Sequence, residues 1–205
     1  SLGLVGSEMC IRDRVGSTLQ NSRSGEAKAP HSDPLNDVVD LPTMTTGALN
    51  ALGQDEDGFS VMIEGGAIDW AGHGNNPVRD IEETQDFNKS VDAAIKWVEE
   101  NSSWEETLLV VTADHETGYL SGANEAPTED NPEADNRFNA MEGEKGKVAR
   151  HGWYSGQHTN QLVPFFFKGA GSEDIMARTA GTDSVRGDYI DNTLVANLTF
   201  DEWWN

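Results

Sequence analysis

An α/β architecture, a mainly parallel sheet flanked by helices, is what the sequence predicts, and three observations lead to it. Residues 59–63 (FSVMI) and 108–112 (LLVVT) are short apolar runs of strand length. Between them Phe87, Val91, Ala94, Ile95 and Val98 recur at the spacing of one face of a long helix. Strand, helix and strand in that order form a βαβ unit, whose crossover lays the two strands parallel. A third apolar run, 162–167 (LVPFFF), supplies another strand, with Pro164 favouring an edge or a strand start.

Each remaining element follows from local chemistry. Residues 1–14 (SLGLVGSEMCIRDR) show no clean period and read as the translation of a sequencing-library adapter. They are expected to be a non-native leader, with the native frame starting near Val15, and Cys10 then carries no functional weight. Residues 15–41 are rich in Ser, Gly, Asn, Asp and Pro and read as loop. His31, Asp33 and Asp37 are expected to be ordinary loop residues. The α/β domain then occupies 42–205. Its first helix is expected from a cap near Thr43, burying Met44, Ala48, Leu49 and Leu52 and ending at Gly53. Asn75-Asn76-Pro77 opens the long helix, with an Asn cap and Pro at the first position. Its acidic first half (Asp80, Glu82, Glu83, Asp86) suits the positive end of the helix dipole, and Arg79 is expected to be solvated. Residues 121–150 are polar, with few aliphatics, and read as an inserted surface segment, lid or crown. His151, beside Gly152-Trp153, reads as part of the insert or of a pocket rim, with a surface position favoured. Residues 168–188 look irregular, and Asp191-Asn192-Thr193 caps a short last helix through Leu194, Val195 and Leu198.

Composition narrows the function. The chain has 205 residues, room for one medium domain, and is 36% hydrophobic with six Trp and seven Phe. Its net charge of −22, from 14 basic and 36 acidic residues, argues against a basic face for nucleic acid or an anionic membrane. One cysteine rules out an intrachain disulfide. No apolar run approaches the roughly 18 residues of a membrane span, and the N-terminus carries no convincing signal peptide.

Chemistry gathers at the ends of the expected strands. The run at 59–63 delivers Glu64, then Asp69 and His73 in a loop with Gly65, Gly66, Gly72 and Gly74. Carboxylate and imidazole are ligands for magnesium and zinc. Taken alone, the Asp69–His73 spacing fits a polar turn with a surface His equally well. Asp114 and His115 follow the second strand directly, and His158 shortly precedes the third. Adjacent Asp and His at a strand end can ligate one ion, or cap a helix. His158 by itself fits a hydrogen-bonded loop residue. Together the clusters make a metal centre on an α/β scaffold the better explanation.

In order and spacing these segments resemble the metal-binding half of the alkaline phosphatases. The resemblance is carried by Glu64-Gly65-Gly66-x-Ile68-Asp69-x-x-x-His73, Thr112-Ala113-Asp114-His115-Glu116-Thr117-Gly118, Ser155-Gly156-x-His158-Thr159 with Val163-Pro164, and Asp191-Asn192-Thr193. It implies two zinc ions and one magnesium. Asp69, His73 and His158 would hold the first zinc, Asp114 and His115 the second, and Glu64 the magnesium. Trp70 would pack over the phosphate pocket, or equally lie in the core or against the lid. The activity implied is hydrolysis of phosphate monoesters, in a periplasmic or extracellular protein that is usually dimeric.

One departure accompanies the match. The family's nucleophilic serine belongs to an Asp-Ser-Ala type motif with an upstream metal-bridging Asp and a phosphate-binding Arg, and this chain has no such motif. Asp183-Ser184 carries the dipeptide, but after the last ligand and followed by Val185-Arg186, so a surface turn is expected. The chain therefore reads as a C-terminal portion without its nucleophile, inactive on its own. Two other readings remain: a related phosphodiesterase or sulfatase-like enzyme, and a non-catalytic metal-binding piece. The spacing of Asp69 to His73 and the Asp114-His115-Glu116-Thr117-Gly118 run favour the phosphatase over the first of these.

Overall fold

The computed structural model describes residues 29–32, 38–123 and 140–203. Residues 1–14 with Cys10, Asp33 and Asp37, and residues 124–139 of the expected insert lie outside the described residues. The chain forms two compact units: Ser1–Ala93 with His115–Gln161, and Ala94–Asp114 with Leu162–Asn205. Among the described residues no helix is long and apolar enough to cross a membrane.

In the first unit, helix α1 spans Leu41–Leu52. Its cap is Asp40 and not Thr43: Asp40 Oδ1 accepts the Thr43 N–H at 3.0 Å. Starting earlier brings Leu41 into the buried row with Thr45 and Leu49, while Met44, Ala48 and Leu52 are only half-buried. Helix α2 spans Ala67–His73, so Asp69 and His73 lie on a short helix where a loop was expected. Asn75 follows with a left-handed φ of 49°, which Asn tolerates. The chain then enters α3, Pro77–Asn101, and Asn76 Oδ1 accepts the Arg79 N–H at 3.1 Å as anticipated for the cap.

The first half of α3 corrects the expectation that Arg79 is solvated. Arg79, Glu82, Glu83 and Asp86 are all buried, Glu82 completely. Glu82 pairs with Arg79 and also accepts the His31 backbone N–H at 2.5 Å. A buried charge needs such partners, and the i,i+3 spacing supplies one from the same helix. Arg79 is thus a buried structural cation. Asp86 receives the Leu41 backbone N–H, and burial still raises its carboxyl above the ordinary range.

Short antiparallel ladders complete this unit. Strand β2 (Glu116–Thr117) pairs with β5 (His158–Thr159), and β3 (Leu120–Ser121) with β4 (Gly152–Trp153). The second pairing closes the polar excursion at its base. Within that excursion Glu142 bridges to Arg150.

In the second unit, β1 (Leu108–Val111) runs antiparallel to β6 (Phe166–Gly169), from Leu108 opposite Gly169 to Val111 opposite Phe166. The ladder begins two residues after Pro164, which has no N–H to donate. The Thr112 hydroxyl donates instead to the Pro164 carbonyl at 3.0 Å. Helix α4 (Ser172–Met176) packs near α5 (Leu194–Leu198) and buries Ile175 and Leu198. Between them β7 (Gly181–Asp183) and β8 (Gly187–Tyr189) form a hairpin, so 168–188 is more regular than its sequence suggests.

The expected parallel sheet is absent among the described residues: the four sheets are two-stranded and antiparallel. Residues 59–63 form no regular element and join no ladder, and Phe59 and Met62 are exposed by 39% and 62%. An apolar run acquires strand structure only when a neighbour accepts its backbone hydrogen bonds. Local hydrophobicity does not supply that neighbour.

Candidate metal centre

The site is assembled on α2, β2 and β5. The i,i+4 spacing on α2 turns Asp69 and His73 to one side of the helix. In the β2–β5 ladder Thr117 stands opposite His158, so the ladder delivers His158 to the residues following Asp114. Alternation along an extended chain puts His115 and Thr117 on the same face.

Three donor atoms converge. Asp69 Oδ1 lies 3.5 Å from His73 Nε2 and 3.3 Å from His158 Nε2, and the two Nε2 atoms are 3.1 Å apart. A tetrahedral zinc with bonds near 2.0–2.1 Å separates its ligand atoms by about 3.3–3.4 Å. The donor set and its spacing therefore fit zinc. His115 joins from the other side. Its ring stacks on His158 with centroids 3.5 Å apart, and Asp69, His115 and His158 offer ligand atoms all within 4.8 Å of one another.

Hydrogen bonds on the far sides of the rings set their orientation. His73 Nδ1 lies 2.8 Å from the Gly156 carbonyl. A carbonyl only accepts, so Nδ1 carries the hydrogen and Nε2 the lone pair that faces the cluster. The Thr117 hydroxyl donates to Asp69 Oδ1 at 2.6 Å and lies 3.2 Å from His115 Nδ1. Close approach of α2 to β2 requires Gly72, where a Cβ would stand 3.0 Å from the Thr117 Cβ and carbonyl oxygen.

A second acidic group flanks the centre. Glu116 accepts the Thr159 hydroxyl through one oxygen and the Leu120 N–H, at 3.1 Å, through the other. Burial, and then the charge of Glu116, push the Asp80 carboxyl up to about 6, with His151 acting in the opposite sense.

Of the residues singled out in the sequence, Asp69, His73, His115 and His158 come together. Glu64 is exposed, with its carboxylate over Gly66. Asp114 is exposed and belongs to the second unit, although it directly precedes His115. Trp70 is 38% exposed. His158 also lines an open depression with Tyr119, Ser155, Thr159, Asn160 and Gln161. Asp183-Ser184 occupies the β7–β8 turn. Asp183 Oδ1 accepts the Val185 and Arg186 N–H groups, which hold its carboxyl below the usual range. Sequence reading gave Thr117 and the Gly156 carbonyl no role. The signal for Thr117 was its i+2 spacing from His115.

A family model described as "Alkaline phosphatase" matches residues 29–161, which span α2, β2 and β5. The chain belongs to the alkaline phosphatase family. It is 43% identical over 93 residues to Alkaline phosphatase 3 of Bacillus subtilis (strain 168), covering 45% of this chain and 20% of that protein. To the alkaline phosphatase of Escherichia coli (strain K12) it is 35% identical over 86 residues, covering 42% and 18%. The chain thus spans about a fifth of the length of these relatives. The solved alkaline phosphatase of the Antarctic bacterium TAB5 superposes with a TM-score of 0.55 at 28% identity, over 80% of this chain and 41% of that one. A variant of that enzyme, solved with Mg bound in the M3 site, gives the same score and covers 42% of its chain. The α/β class expected from the sequence is the fold of these alkaline phosphatases.

Proposed function

We propose that this chain carries the metal-binding part of an enzyme that hydrolyses phosphate monoesters with two zinc ions and one magnesium. The observation that carries the reading is the convergence of Asp69 Oδ1, His73 Nε2 and His158 Nε2 within 3.1–3.5 Å, in a chain of this family. These three residues would hold the first zinc. His115, with Asp114 beside it in sequence, would hold the second, and Glu64 the magnesium. All six fall inside the matched segment. A zinc pair, when bound, clamps a phosphoryl group and stabilises the attacking and leaving oxygens.

The chain's own residues prepare that chemistry. The Gly156 carbonyl keeps the His73 proton on Nδ1, leaving Nε2 to bind. The stack of His115 on His158 fixes the plane of both rings. The open depression beside His158 would leave the alcohol side of a phosphate ester in solvent. Periplasmic or extracellular placement and dimer formation belong to the same reading of the whole protein.

A second reading applies to the 205-residue chain by itself: metal binding without turnover. It is favoured by the lack of an Asp-Ser-Ala motif anywhere in the sequence. Zinc calorimetry paired with a p-nitrophenyl phosphate assay, in zinc and magnesium, tests both readings. Zinc uptake without turnover is expected. Steady turnover would reject the second reading, and absence of zinc uptake would reject the first.

A further inference from the structure

The Thr117 hydroxyl stands between two of the proposed ligands. It donates to Asp69 Oδ1 across 2.6 Å and lies 3.2 Å from His115 Nδ1. A hydroxyl carries one proton. With that proton directed at the carboxylate, the contact with His115 is favourable only when Nδ1 bears a hydrogen and donates to the hydroxyl oxygen. The tautomer follows: His115 keeps its proton on Nδ1 and its lone pair on Nε2.

The rest of the side chain has a separate task. A Cβ at Gly72 would stand 3.1 Å from Thr117 Cγ2, so the methyl group packs against the helix that carries Asp69. Pairing of Thr117 with His158 across the β2–β5 ladder fixes its backbone. Methyl and backbone thus hold the hydroxyl where it meets both ligands.

We propose that Thr117 is a positioning residue that couples the two proposed zinc sites. It orients the Asp69 carboxylate and holds His115 as the Nδ1–H tautomer, so that Nε2 is the nitrogen presented to the metal. The proposal rests on the reading of Asp69 and His115 as metal ligands. Partners of this kind, one bond removed from a metal, typically change its affinity by roughly 10–100-fold.

The test uses the full 205-residue chain with zinc alone as the probe, titrated against a competing chelator. Nitrogen-15 spectra of the metal-free protein report the His115 tautomer independently. Thr117→Val keeps the methyl contact and removes the hydroxyl, whereas Thr117→Ser does the reverse. The Val variant is expected to bind zinc roughly 10–100-fold more weakly and to lose the Nδ1–H preference, while the Ser variant stays within about twofold of the parent. Unchanged affinity and tautomer in the Val variant would overturn the proposal. So would equal losses in both variants, since the Ser variant keeps the hydroxyl. If the parent chain takes up no zinc, the metal-site reading fails separately. The tautomer comparison then decides Thr117: a preference kept by parent and Ser but lost in Val sustains it, and one shared by all three overturns it.

Discussion

The Nε2 atoms of His73 and His158, 85 positions apart in the chain, face each other across 3.1 Å. The Gly156 carbonyl holds the His73 hydrogen on the opposite nitrogen, so a lone pair points at the gap. Asp69 Oδ1 points at the same gap. Three donors arranged this way need a cation or a proton among them, which makes the arrangement sensitive to metal.

Zinc is therefore expected to raise the thermal midpoint of the chain, and a chelator to reverse the change. At a free concentration a hundred times the dissociation constant, the stabilisation is about 2.7 kcal/mol. Asp69→Asn should remove most of it. Melting curves with and without zinc check this, and superimposable curves for the parent chain would contradict a metal centre at Asp69.

Glu82 and Arg79 form a pair with side chains 0% and 8% exposed. Glu82→Ala removes a buried carboxylate that the Arg79 guanidinium and the His31 N–H both bond, and is expected to cost about 3–5 kcal/mol. A solvated pair would be worth under about 1 kcal/mol. Urea unfolding distinguishes the two. Replacing both residues together, Glu82→Leu with Arg79→Met, should recover much of the loss.

Asp80 gives stability a pH dependence of known sign. Its carboxyl rises from 3.8 to about 6, through burial first and Glu116 second. Between those values the native state binds more protons than the unfolded chain, so stability falls as pH rises through the window. The penalty is complete above the upper value and amounts to at most about 3 kcal/mol. Asp80→Asn should flatten this slope and stabilise the chain at pH 8. Denaturation midpoints across pH 4 to 8 are the measurement, and parallel profiles for parent and variant would refute it.

Gly118 has a φ of 92°, and a Cβ there would lie 2.5 Å from two atoms of the Trp153 ring and 2.9 Å from the Gly72 carbonyl oxygen. Left-handed strain alone costs on the order of 1–3 kcal/mol, and the ring must also move. Gly118→Ala is expected to destabilise by more than about 2 kcal/mol and to weaken zinc binding, because the Gly118 N–H holds the Gln157 carbonyl beside His158. A variant as stable as the parent would show that the turn relaxes without loss.

Much of the secondary structure was legible because its causes are local. The cap at Asn76, the long helix after it, and the apolar runs behind β1 and β6 all depend on neighbours within a few residues. The cap at Asp40 was missed because Pro42 and Thr43 offered a competing start one turn later. Arg79 was misread for a different reason. An acidic helix face reads as solvated unless something far away in sequence covers it, and His31 lies 51 positions from its contact on Glu82.

The sequence by itself determined which donors exist, their order, and the helical spacing that sets Asp69 beside His73, since these are properties of short stretches. Only the tertiary structure decided that His158 and His115 meet them, that Thr117 sits between Asp69 and His115, and that 59–63 pairs with no described strand. Those outcomes depend on ladder pairing and close approach between segments distant in the chain, and local periodicity carries no record of which partner a strand will find.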